Sequence, residues 1–546
     1  MTTRQEISTG NGRKRGSGAR GWRSYAGTTN WLMVALFSLC AGSTFISYRP
    51  YQFNGWDDAE YFGRSIAASR AFWSGDIEGL HAAIVGIRPP AMTLLGLPWG
   101  RLESWDSAGK CFVTLGALIS ILAGISFYLL LRIGVKPLYL ITASACVGLS
   151  LGPLPPDLGP FPPDDAHQAA CGFMADSLFA WTALAAILLI PYEARSDRLT
   201  TRSSILKGIL WGAIVSLGVM TKLNFLYFVV LIIPVLMFVR LRRDGLRSAS
   251  WSILACAGCA APSAFYLLRF GRPAFGFAKG ASFGALSEFY YRPLLQLLSD
   301  TFRESPGMAF SLLLTAAVIA YLAVKKRLLK SWPDFIALLI MIGFAIIVLV
   351  APNKEIRFAF PAIVALPFLA AILASGEEIP IPRWPATLAA AVVFCSLLAA
   401  AFPMRHRPDW HSLDKSNAVL AAADRWNAKR IVLATDSPTM NGYLMLLATL
   451  FSSESFSTRT LAYRAVFGQP MESDLRILSG ADLVVFQDGS ESEPPFSNQR
   501  VPEYEQYLQR MGSTPTRIIG DLYGYRVQHP NKVSPRRNSK FLYYPD

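Results

Sequence analysis

Apolar residues run along this chain in long blocks separated by short polar stretches as far as residue 403, after which the pattern turns to short mixed segments. A helix crosses a hydrocarbon core with about 20 mostly apolar residues, and with fewer when it is packed among others. Eleven runs qualify: residues 31–48, 111–131, 137–151, 168–190, 208–221, 223–239, 250–266, 307–324, 335–351, 361–375 and 386–403. Those at 208–221 and 361–375 are the shortest for a full crossing. The first run follows a basic lead with no small-residue cleavage site behind it, which predicts an uncleaved anchor. Beyond 403, residues 412–427 have helical spacing, 431–434 and 483–486 are strand-like, and 517–527 reads as a strand pair around 521–524. The pattern predicts a polytopic α-helical membrane protein: a basic tail (1–30), a transmembrane domain of about 11 helices (31–403) and an α/β domain (404–546) ending in a flexible basic tail.

Composition sharpens this. The 546 residues are 52% hydrophobic and only 16% charged, where a soluble domain carries about 25%. The net charge of +15 raises a nucleic-acid partner, but such binders gather Lys and Arg on one face, and here long stretches carry none. Basic residues in short loops mark the cytoplasmic side. With the N-terminus inside, residues 1–30, 132–136, 191–207, 240–249, 325–334 and 376–385 are cytoplasmic. With Asp334 counted to the helix that follows, they hold 21 Lys and Arg against six acids, which equals the whole excess. The charge is thus an orientation signal, no nucleic-acid partner is expected, and residues 404–546 fall outside. For a bacterial inner membrane that side is the periplasm. The seven cysteines lie in or beside apolar runs, and Cys256 and Cys259 form a CxxC only in spelling, inside an apolar helix.

Candidate chemistry lies on the outer side. The first outer loop, residues 49–88, opens with Trp56-Asp57-Asp58-Ala59-Glu60-Tyr61-Phe62. Three carboxylates within four positions, flanked by aromatics, are either solvated, a cation site or an acid/base site; crowding of like charges predicts a raised carboxyl pKa, which suits a general base. The amphipathic stretch 61–72 is expected to lie on the membrane surface. The loop closes at Arg88-Pro89-Pro90, whose prolines extend the arginine backbone and whose guanidinium suits a phosphate. The second outer loop, 152–167, carries six prolines with Asp157, Asp164 and Asp165 and ends at His167. Lys222 stands between two apolar runs, a costly place for a cation without a partner or a route to water.

In this order the motifs resemble those of the polytopic lipid-donor glycosyltransferases of the GT-C fold, closest to the protein O-mannosyltransferase and lipid A aminoarabinose transferase group. Further matches are Phe173-Met174-Ala175-Asp176, Gly218-Val219-Met220-Thr221-Lys222 and Arg357-Phe358-Ala359-Phe360-Pro361, so the resemblance covers about residues 31 to 375 and the layout of the C-terminal domain. It implies transfer of a sugar from a polyprenyl-phosphate donor to a hydroxyl of a glycan, lipid or protein, by inverting single displacement. Asp57 falls at the position of the base, with Asp58 the alternative because many members have Asp-Glu there. Arg88, Lys222 and Arg357 are expected on the donor phosphate, and Glu60, Asp176, Asp164 and Asp165 on the acceptor side or second loop. The branch generally uses no cofactor. A divalent metal on Asp57 or Asp58 with Asp164, Asp165 and His167 is the other possibility, since hard oxygens and one imidazole suit it. Two other readings are a lipid or sugar flippase, which would show inverted repeats and mid-bilayer charges, and an O-antigen-ligase-like enzyme with a diphosphate-linked donor.

Overall fold

The computed structural model describes residues 34–39, 41, 50–51, 57–86, 88–151, 175–196, 200–283, 293–296, 298–299, 306–325, 328–351, 356–375, 407–408, 413–437, 439–462, 464–465, 468–488 and 500–527. Strand β1 (Pro50–Tyr51) precedes helix α1 (Asp57–Ser74) and helix α2 (Ile77–Ile84). The helices that follow are α3 (Lys110–Ile133), α4 (Pro137–Leu151), α5 (Ala175–Arg195), α6 (Thr201–Thr221), α7 (Leu226–Phe270), α8 (Arg272–Phe283), α9 (Pro306–Val324), α10 (Trp332–Val350) and α11 (Phe360–Ser375). Among the described residues, seven helices are long and apolar enough to cross a membrane: Trp105–Ile133, Ala175–Arg195, Thr201–Thr221, Leu223–Phe270, Gly307–Val324, Trp332–Val350 and Arg357–Ser375. Most of the runs expected at 31–48 and all of 386–403 lie outside the described residues, and α4 is a shorter apolar helix.

The helices α3, α6, α7, α10 and α11 surround α5. Nearly all of α5 is buried, as expected of a helix apolar on every side. The 208–221 run is short only in its apolar part, because α6 starts earlier, at Thr201, whose preceding Thr200 accepts from the Ser203 N–H as N-cap. A Cβ at Gly208 would collide with the Ser252 carbonyl and one at Gly212 with Cys256 and Cys259 of α7, so the two helices touch through small residues. This packing accounts for the paired cysteines. Helix α7 merges the expected 223–239 and 250–266 spans across Gly245, whose φ of 80° and ψ of 174° suit glycine alone.

At the end of α5 away from Asp176 an ionic cluster is sealed in. Glu193 is fully buried against Arg240 of α7 (2.7 Å) and Lys207 of α6 (3.1 Å), and Arg240 also pairs with Asp244 (2.6 Å). Arg243 bonds Asp244 (2.8 Å) and the Ser196 carbonyl (2.6 Å). Nearby, Arg195 donates to both oxygens of Asp334, at 2.7 and 2.5 Å. These residues come from three of the loops read as cytoplasmic, 191–207, 240–249 and 325–334, which therefore share one face.

The C-terminal part starts at β2 (Arg407–Pro408), which pairs in parallel with β1. It continues through α12 (Asp414–Arg425), β3 (Arg430–Leu433), α13 (Gly442–Phe451), β4 (Ser457–Thr460), α14 (Met471–Ser479), β5 (Leu483–Gln487), α15 (Val501–Arg510), β6 (Pro515–Ile519) and β7 (Leu522–Arg526). The sheet order is β4-β3-β5-β7-β6, parallel over the first three strands and antiparallel after. The expected strands and hairpin are present.

Helix α13 joins the two parts. Leu444 and Leu447 enter the core of the membrane helices, while Met445 and Ala448 enter that of the sheet. It lies along α1: Leu447 reaches Gly63, where a Cβ would stand 3.3 Å from it, Arg70 donates to the Leu450 carbonyl, and Phe451 packs edge-on against Trp105 at 5.1 Å. Consequently α1, expected on the membrane surface, is instead buried by protein along Ala59, Tyr61, Phe62, Ile66 and Ala68. Its apolar stripe meets α13 and the 3-10 turn Thr93–Trp99, which offer closer packing than lipid headgroups.

Candidate functional site

Four separate pieces of chain bring charge to one point. Helix α1 starts at Asp57, and its first turn holds Asp57, Asp58 and Glu60, favourable neighbours of the exposed N–H groups. The Arg88-Pro89-Pro90 corner is tied to the end of α6, because the Ala91 N–H donates to the Met220 carbonyl at 2.8 Å. Two residues on, Lys222 leaves the helix in an extended conformation and its N–H returns to Gly218. The Phe225 ring covers Gly218, where any side chain would collide with it, so the Gly218-x-x-x-Lys222 element is a break made for its lysine. Arg357 lies in a 3-10 turn, Ile356–Ala359, leading into α11.

The side chains converge on Asp57. Arg88 Nη2 donates to Asp57 Oδ1, and Arg357 Nη1 donates to Asp57 Oδ2 at 2.9 Å. Arg88 Nε donates to Glu60 Oε2 at 3.4 Å, and Arg64 Nε pairs with Glu60 Oε1 at 3.0 Å. The Lys222 amine donates to Asp176 Oδ1, at the start of α5, and stands 4.8 Å from the Phe358 ring centre. Asp57, Arg88, Lys222 and Arg357 are each 15–20% exposed, whereas Glu60 and Asp176 are at most 3% exposed. The first four therefore face open space, and the two buried acids stand behind them as counter-charges to cations. That differs from the acceptor-side position expected of Glu60 and Asp176. Asp58 is also buried, and its Oδ1 accepts from the Ala59 N–H at 2.8 Å. Asp164, Asp165 and His167 lie outside the described residues.

The acidity of Asp57 is the reverse of the sequence expectation. Burial by itself would raise its carboxyl, but Arg88, Arg357 and Lys222 outweigh it and hold the group below the usual carboxylate range. Asp57 and Glu60 are each met by arginines. Arg88 is correspondingly held charged: burial would lower it, and Asp57, Tyr61, Glu60 and Tyr443 more than reverse this. Both Asp57 oxygens face guanidinium groups, surroundings that favour an anion. Among the described residues no three His, Cys, Asp or Glu side chains are grouped to hold a metal ion.

Tyr443, the second residue of α13, is an electrostatic neighbour of Arg88 that the sequence did not disclose. Its only sequence signal is Asn441 before an apolar run, which is the N-cap accepting from the Tyr443 and Leu444 N–H groups. Arg64, which steadies Glu60 one turn along, likewise carries no signal in the sequence.

A pH profile tests the electrostatics. Replacing Arg357 by Gln removes one of the cations that lower Asp57, so the folded-state pKa rises. The acid limb of kcat/KM, which reports groups of the free enzyme, is expected to move to higher pH than in the wild type. An unmoved limb would mean that Arg357 does not set the charge of the group being titrated.

No family model matches the chain, and no curated protein matches it. Solved structures do. ArnT from Cupriavidus metallidurans bound to undecaprenyl phosphate aligns over 91% of this chain and 98% of its own, with 13% identity and a TM-score of 0.51. The same protein in the apo state aligns with a TM-score of 0.49 at 13% identity, over 93% and 98% of the two chains. An oligosaccharyltransferase from Archaeoglobus fulgidus, in complex with Zn and sulfate, aligns with a TM-score of 0.43 at 14% identity, over 84% and 68%. The assignment rests on the first of these and is one of fold: the chain has the GT-C fold of ArnT, as its motifs resemble.

Proposed function

We propose that this protein is a membrane glycosyltransferase that takes a sugar from a polyprenyl-phosphate donor and places it on an acceptor hydroxyl at the outer face. The observation that carries the reading is the pairing of Arg88 and Arg357 with the two oxygens of one partly open carboxylate, with Lys222 close by. Three cations on one wall are what a phosphodiester needs, and guanidinium groups suit it in bidentate fashion. The fold is that of ArnT, whose structure carries undecaprenyl phosphate.

In the free protein Asp57 occupies the guanidinium groups. A donor phosphate competes for them, and a carboxylate that loses cations becomes more basic. Asp57 then takes the proton of the acceptor hydroxyl as its oxygen attacks the anomeric carbon. The bond from that carbon to the phosphate oxygen breaks, its electron pair leaves with the polyprenyl phosphate, and the configuration inverts. The leaving phosphate needs no protonation, so one carboxylate suffices where glycoside hydrolysis uses two. Arg88, Arg357 and Lys222 stabilise the negative charge that develops. Asp164 and Asp165 of the second outer loop belong to the same proposal as acceptor-side groups, and His167 only to its divalent-metal alternative.

The test is transfer by the purified full chain in detergent or nanodiscs. A panel of polyprenyl-monophosphate sugars is incubated with envelope glycan, lipid and protein acceptors, and the same carrier as a diphosphate is run beside it. Product from the monophosphate donor with inverted anomeric configuration is expected. Product from the diphosphate alone would replace the reading by the ligase-like one, and lipid translocation in liposomes with no new glycosidic bond by a flippase.

A further inference from the structure

We infer that Arg64 is a positioning residue for Arg88: it pins the buried Glu60 carboxylate that holds Arg88 from behind, and position 86 is a glycine so that it can. The inference rests on the reading of Arg88 as a ligand of the donor phosphate. It adds the device that keeps that guanidinium in place once Asp57 gives way.

The rotation of α1 sets the arrangement. Gly63 faces Leu447 of α13, and the next residue, Arg64, lies about 100° round the helix, on the side of α2. It follows Glu60 by one turn, the spacing at which a helical acid and base meet. Arg64 Nε is 3.0 Å from Glu60 Oε1, and its Nη1 donates to the Ala83 carbonyl of α2 at 3.4 Å. The guanidinium lies against the Gly86 backbone: a Cβ there would stand 2.6 Å from Nη2 and 2.8 Å from Cζ, well inside van der Waals contact. Helix α2 is itself tied to α7, because the Tyr266 hydroxyl donates to the Ile84 carbonyl at 3.4 Å. The chain that reaches Arg88 two residues after Gly86 therefore leaves from a fixed start.

Arg88 is gripped at two points. Its Nη2 donates to Asp57, and its Nε donates to Glu60 Oε2 at 3.4 Å. A phosphate that takes the Asp57 edge leaves Glu60 as the remaining anchor. Glu60 is 1% exposed, so little water competes for its oxygens, and Arg64 and Arg88 take one each. Without Arg64 both oxygens turn to Arg88 and draw it back from the open side of the site.

Position 86 offers a test that removes no charge. Gly86 does not have the left-handed backbone that would itself exclude alanine, and the atoms a Cβ would meet are the far end of a flexible side chain. Gly86→Ala therefore shifts Arg64 off Glu60 and leaves the fold intact.

The measurement is binding of a polyprenyl monophosphate without sugar to the purified full-length protein in detergent, by microscale thermophoresis, with thermal unfolding of each variant beside it. Arg64→Gln is expected to raise Kd about tenfold, the worth of one charge-assisted hydrogen bond. Gly86→Ala should raise it by part of that with an unmoved unfolding temperature. The double variant should bind no worse than Arg64→Gln, because no guanidinium is left for the new methyl group to push. A purely structural role would give additive losses that follow the unfolding temperatures. Wild-type Kd in Gly86→Ala, or additive losses in the double variant, would overturn the inference; should Arg64→Gln fail to fold, Gly86→Ala decides alone. Arg88→Ala is the reference. A Kd unchanged in that variant would remove Arg88 from the phosphate and overturn the donor reading together with this inference, whereas a Kd raised in Arg88→Ala but not in Arg64→Gln overturns the inference alone.

Discussion

Asp57→Asn is expected to lower transfer from a lipid-linked donor by about 10²- to 10⁴-fold, the usual contribution of a positioned general base. The loss should fall on kcat. Asparagine keeps the shape of the side chain but not its charge, so Arg88 and Arg357 lose an anionic competitor and become more available to the donor phosphate. KM for the donor should therefore stay level or fall, the pattern of a residue whose contribution is made in the transition state. A rise in KM with kcat unchanged would instead make Asp57 a positioning group, and wild-type kcat would remove it from the chemistry. Asp58→Asn is the matched control. Because the Asp58 carboxylate is buried and bonded to the Ala59 N–H, its loss should show as lower stability before lower turnover.

The second large effect concerns folding. Glu193→Ala is expected to destabilise the helices by about 3–5 kcal/mol, as removal of one partner from a buried ionic group does. Glu193 has no exposed side-chain surface, and neither has Arg240. Its removal takes the carboxylate from between Lys207, Arg240 and Arg243, of which Arg240 is wholly buried, and leaves the cations to repel one another. Glu193→Gln should recover part of the loss, since it restores acceptor oxygen without charge. Unfolding in mixed micelles, or a thermal shift in one fixed detergent, reads the difference. An exposed pair gives the contrast: Glu454 bonds Lys429 with both side chains at least 40% exposed, and Glu454→Ala should cost about 0–1 kcal/mol. A loss of the same small size for Glu193→Ala would mean that water reaches the cluster.

Long apolar runs made most of the membrane helices legible, because a bilayer leaves the backbone few other solutions. What the runs did not give is where helices continue into polar chain. Helix α6 begins at Thr201 rather than 208, since Lys207 has Glu193 as a partner and need not end the helix. Helix α13 is hidden in the sequence for a related reason. It is apolar all round because two cores claim its opposite faces, and a ten-residue run of that kind is as consistent with a buried strand.

The site was legible as a set of residues and not as a set of pairs. Ionisable groups beside apolar runs are costly enough to stand out, and four of those named, Asp57, Arg88, Lys222 and Arg357, meet. Which carboxylate answers which cation depends on partners far apart in the chain: Asp57 and Arg88 are separated by 31 positions, Asp57 and Arg357 by 300. Neighbours in sequence suggested acids crowding acids, whereas the fold interleaves them with arginines. The sign of the Asp57 shift follows from that alone.

The helix shared between two cores has a consequence for rearranging this protein. Composition divides the chain near residue 403, yet the cohesive unit runs across that point, because Leu444 and Leu447 plug a surface built by α1 and the membrane helices. Swapping residues 404–546 for those of a distant relative would exchange a plug without its socket. A working chimaera has to carry α1 along with α13, and so has to move Asp57 with Tyr443. Specificity grafts in this protein are therefore confined to exchanging the wall of the site together with the sheet domain.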